Sequence, residues 1–94
     1  MMTEEPDQHL DAMNQFINLA NELKNNGTPT HIVSWGMMTA SAVYATFSVA
    51  GNTGGLNASG VDKVVETYRQ CLDQVQEARK KELENQGAEI RNEN

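Results

Sequence analysis

Residues 30–50 read THIVSWGMMTASAVYATFSVA, and this stretch decides the fold. It contains no Asp, Glu, Lys or Arg: Lys24 is the last such residue before it and Asp62 the first after it. At 3.6 residues per turn it makes one helix of about six turns. A strand reading fails because the apolar residues do not alternate, no turn residues interrupt them, and the run is too long for a typical strand. The stretch has the length of a membrane span. His31, Ser34, Thr39, Ser41, Thr46 and Ser48 make it too polar for a lipid-facing helix, and no basic residue flanks it closely. Ser34, Ser41 and Ser48 recur every seven residues and share one narrow stripe. That pattern predicts the buried central helix of a soluble protein with one edge near water, not a membrane span.

The segments on either side predict the helices that would pack on it. Upstream, Leu10, Met13, Ile17 and Ala20 fall three and four apart, and Phe16, Leu19 and Leu23 widen the stripe. This predicts an amphipathic helix over 5–25, capped by Thr3, with Pro6 and acidic residues in its first turn. Asn25-Asn26-Gly27 ends it, with Gly27 or Asn26 in the left-handed conformation. Thr28 is the predicted N-cap and Pro29 the first-turn residue of the central helix, 29–50. So short a turn predicts an antiparallel helical hairpin.

Downstream, Gly51-Asn52-Thr53-Gly54-Gly55 reads as a flexible break. It is not a phosphate cradle: the preceding element is a helix, and the lysine of a P-loop is missing. Ser59 with Asp62 is a capping-box variant opening a third helix, 60–85, with Leu56 ahead of it as a staple. Val61, Val64, Val65, Tyr68, Leu72 and Val75 form its apolar stripe, with Cys71 beside it as a half-buried structural thiol. Residues 1–86 are therefore one helical domain, and 87–94 a disordered tail.

Three segments resemble the bacterial domain-of-unknown-function 3144 family. Gln15-Phe16-Ile17-Asn18-Leu19-Ala20-Asn21 is similar to its F-I-x-L-A-N signature. Val33-Ser34, followed by Ala40, Ala42, Tyr44, Phe47 and Ala50, is similar to a second family segment, and Tyr68-Arg69-Gln70-Cys71-Leu72 to its Y-R-K-M-L. The resemblance runs from about Asp7 to Val75. It departs from the family at Val43-Tyr44-Ala45, where the family has Arg-Phe-Asn. It implies a divergent bacterial member with an all-helical fold, and no particular chemistry.

Composition narrows the function. The chain has 94 residues, one cysteine and a formal net charge of −6. An acidic chain whose only basic cluster, Arg79 to Lys81, is ringed by Glu77, Glu82 and Glu84 does not suit a nucleic-acid backbone. A single cysteine makes no internal disulfide, and the acidic start MMTEEPDQH lacks the features of a signal peptide, so a cytoplasmic location is expected. His9 and His31 fall near the starts of two antiparallel helices, too far apart to share a metal, and Cys71 does not complete a zinc set. Glu22, Asp62, Glu66, Asp73 and Glu77 include no Glu-x-x-His pair, so they read as a solvated face. No catalytic residue, metal or cofactor is assigned, and an enzyme is not expected. Asn14, Asn18, Asn21 and Asn25 form a polar stripe on the first helix, facing water or a partner.

The central helix carries more apolar circumference than two neighbours can cover. The expected fold is an all-α three-helix bundle with a central apolar helix, completed by self-association. The expected function is protein–protein interaction as a homo-oligomer, a dimer, with an unidentified protein as a further partner. The interface would use Trp35, Met38, Ala42 and Val49 on one side of the central helix, or Gly36, Ala40 and Phe47 on the other. The alternative is an apolar small-molecule pocket around Trp35, Met38 and Phe47, with Met37 and Tyr44.

Overall fold

The computed structural model describes residues 5–87. They form three helices, α1 (Glu5–Asn25), α2 (Thr30–Ala50) and α3 (Ala58–Asn85), with no strand among the described residues. The chain is all-α, as its periodicity predicts. The proposed cap at Thr3 and the tail over 88–94 lie outside the described residues.

The chain divides into two compact units, Met1–Ser48 and Val49–Asn94. The first holds α1 and nearly all of α2, joined through residues 26–29. Glycine decides how α1 ends. Gly27 has φ +108°. Its N–H donates to the Lys24 carbonyl at 3.0 Å, and the Thr28 N–H donates to the Leu23 carbonyl at 3.0 Å. These two bonds make a Schellman motif, which needs a left-handed residue where Gly27 stands. The sequence offered Gly27 or Asn26 for this role; the structure uses Gly27.

α2 opens one residue later than its composition suggests. The Pro29 carbonyl accepts the Val33 N–H at 3.1 Å, so Pro29 is the capping position and Thr30 the first helical residue. Thr28 is not the N-cap; its N–H is already engaged in closing α1.

The second unit contains the end of α2, the linker and α3. Gly51 has φ +77° and turns the chain off α2. The linker then folds back closely. A Cβ at Gly54 would stand 2.7 Å from the Ala50 carbonyl oxygen and 3.0 Å from its Cβ. The glycine-rich stretch read as a loose break is in part a close approach of backbone to the last turn of α2.

α3 starts earlier than predicted, and from a different cap. The N-cap is Asn57, whose Oδ1 accepts the Gly60 N–H at 2.8 Å. Ser59 lies inside the helix and is not the cap. Asparagine and serine cap about equally well, so local chemistry alone does not choose between them. Leu56 directly precedes the cap, with its side chain against Gly60 and half-buried. At the far end Gly87 has φ +73° and its N–H donates to the Glu84 carbonyl at 3.0 Å. The helix thus ends at the Gln86-Gly87 step, where the sequence places its end.

Candidate functional site

Burial defines the site by its scarcity. Val33 is the one buried residue among those described, and it lies on α2. The α1 stripe predicted to be buried is exposed at Leu10, Met13, Phe16, Ile17, Leu19 and Leu23, and half-buried only at Ala20. The expectation of α2 as a buried central helix holds at Val33 alone.

Val33 gives a reference direction on α2. Successive residues turn by about 100°. Counting from Val33, Trp35, Met38, Ala42 and Val49 all project on the opposite side of the helix, within roughly 40° of diametric opposition. Gly36, Ala40 and Phe47 fall within about 60° of Val33's own direction. The seven expected interface residues therefore form two separate patches. Trp35, Met38, Ala42 and Val49 form the outward face, opposite Val33, where Trp35 is 65% and Val49 69% exposed; Tyr44, on Val33's side, is exposed to the same degree. Gly36 and Phe47 lie round the helix from them. A Cβ at Gly36 would meet nothing within 4 Å. Phe47 stacks tilted against Tyr44, with ring centroids 5.8 Å apart. That pair was not singled out by sequence as a contact, although three-residue spacing on a helix allows it.

The same count bears on the pocket reading. Met38 and Phe47 are nine residues apart and project from opposite sides of α2. Trp35, Met37, Met38, Tyr44 and Phe47 are all exposed, so the helix does not gather them into one lining. A shallow groove does exist on α1, between Ala12, Gln15, Phe16 and Leu19. Phe16 and Leu19 belong to the α1 stripe read from the sequence; Ala12 and Gln15 were not singled out there.

The polar groups of α2 are less costly to cover than their number suggests. Thr46 Oγ1 donates to the Ala42 carbonyl at 2.9 Å, and Ser48 Oγ to the Ala45 carbonyl at 3.0 Å. A hydroxyl satisfied by its own helix can be covered without leaving an unpaired donor. α2 also has the length and composition of a membrane span.

The remaining candidates stay apart. Among the described residues no group of three or more His, Cys, Asp or Glu is placed to hold a metal ion. His9, His31 and the carboxylates of Glu22, Asp62, Glu66, Asp73 and Glu77 are exposed. So is the asparagine stripe Asn14, Asn18, Asn21 and Asn25. Cys71 is exposed, not half-buried, because the α3 stripe it flanks is itself exposed. Arg79 pairs with Glu82 one turn on, an exposed pair of small energetic weight. No family model, curated protein or solved structure matches this chain.

Proposed function

We propose that this chain is a non-catalytic protein-interaction module that works as a homo-oligomer, a dimer, with the outward face of α2 at its centre. One observation carries the reading: a helix with no charged residue presents Trp35, Met38 and Val49 to the surface, opposite its single buried side chain. Contiguous exposed apolar surface of this kind marks an association site. The core of such an interface is depleted of charge and enriched in Trp and Met, as this face is. Ala42 at its middle lets a partner helix approach closely; Gly36 and Phe47 lie on the other side of α2.

The resemblance to the domain-of-unknown-function 3144 family belongs to the same proposal. In its favour, the three similar segments fall on α1, α2 and α3 in turn, and the second begins at the buried Val33. A cytoplasmic, membrane-free location is proposed with it, on the polar stripe of Ser34 and Ser41, exposed along α2.

Light scattering coupled to size exclusion, run from low micromolar to millimolar chain, tests the reading. The expected mass is twice the 10.4 kDa of the chain, falling towards one chain on dilution. A single-chain mass throughout, or a chain extracted only with detergent, overturns it.

A further inference from the structure

We propose that α3 pairs antiparallel with α3 of a second copy of the chain, over residues 58–75. The inference rests on the homo-oligomer reading and adds a second helix to the interface. Its basis is a seam. Val61, Val65, Tyr68, Leu72 and Val75 follow one another at spacings of four and three, the repeat of a coiled coil. All five are exposed. Lys63, Gln70 and Glu77 stand on the far side of the helix and Glu66 and Asp73 beside them, so the helix has one sticky line and a charged back. The next two seam positions are Arg79 and Glu82, which are paired with each other. The apolar part of the seam therefore stops at Val75.

Charge selects the partner and its direction. Asp62 and Arg69 flank the seam on one side; Val64 and Cys71 flank it on the other. In a parallel, in-register pair unlike flanks meet, so Arg69 would face the partner's Val64 and no ion pair forms. In an antiparallel pair like flanks meet. With Val61 against the partner's Leu72, and Val65 against the partner's Tyr68, Asp62 of each chain stands beside the partner's Arg69, twice by symmetry. Val75 then meets the partner's Ala58, and Arg79 and Glu82 extend past the start of the partner's α3, leaving only apolar residues in the seam. The next antiparallel register, seven residues along, sets Arg69 beside the partner's Arg69 and Arg79 against the partner's Val61. The seam supplies the affinity; the flanking charges choose among arrangements. An antiparallel pair is isologous, as a two-fold dimer requires.

The charge swap tests this in the full chain. Within one chain Asp62 and Arg69 are about 10.5 Å apart along the helix axis, too far to pair directly. Rescue of one substitution by the other therefore reports contact between chains. By sedimentation, Asp62→Arg and Arg69→Asp should each weaken the dimer about tenfold, since two weak attractions become two repulsions. The double substitution should return to within about twofold of the parent. Singles without effect, or a double as weak as the sum of the singles, overturn the inference. If the swaps do nothing while Trp35→Ala dissolves the dimer, the α2 interface stands and the α3 pairing falls. A wild-type chain that is monomeric throughout removes both.

Discussion

Trp35→Ala is the sharpest perturbation of the α2 interface. A tryptophan side chain buries roughly 150–250 Å² when fully covered. Trp35 is 65% exposed, so on the order of 100–160 Å² remains for a partner to cover. At about 25 cal/mol per Å², full coverage stabilises by about 2.5–4 kcal/mol per side chain. Two copies meet in a dimer, and interfacial ordering offsets much of the gross gain. A net loss of about 2–3 kcal/mol follows, which weakens the dimer by roughly 30- to 150-fold. The monomer should hardly notice, because an exposed side chain is removed and alanine is the better helix former. The molecule supplies its own probe, since Trp35 is its one tryptophan. Its indole loses water on association, so the emission of the wild type should move to shorter wavelength as concentration rises, in step with the mass from light scattering. Emission that stays long-wavelength at every concentration, or a Trp35→Ala dimer within about twofold of the wild type, would refute the reasoning.

Five further substitutions, two of them controls, test the local structure through denaturant or thermal melts. Gly54→Ala should destabilise by about 1–2 kcal/mol, because its Cβ would meet a backbone carbonyl at 2.7 Å. Gly55→Ala, with nothing within 4 Å of its Cβ, should be neutral or slightly stabilising. Asn57→Ala should cost about 1 kcal/mol as the lost cap of α3. Ser59→Ala should cost less than half as much, and equal losses would return the cap to Ser59. Gly27→Ala should cost about 1–2 kcal/mol, since the Schellman turn holds that residue at φ +108°; an unchanged melt would mean that α1 ends otherwise.

The elements were legible in the sequence because each rests on local signals. Uncharged length defined α2; three-and-four spacing defined α1 and α3; glycine with asparagine marked where they stop. Ends were less legible, because neighbouring residues compete for the same role. Asn57 and Ser59 are both good caps, and the structure takes Asn57, whose Oδ1 accepts the Gly60 N–H. Burial was least legible. Periodicity says which residues are apolar, and it says so identically for a covered stripe and an uncovered one. It therefore read Cys71 as half-buried and the α1 stripe as core, and both are exposed. It also left the two sides of α2 equivalent. Tertiary structure buries Val33 and leaves residues on both sides of α2 exposed, Tyr44 and Phe47 as well as Trp35, Met38 and Val49. The sequence by itself determined which helices form and which residues are sticky, since both follow from side-chain chemistry a few residues at a time. How little of that sticky surface is covered became visible in the tertiary structure alone, since burial depends on contacts that side-chain chemistry along the chain does not specify.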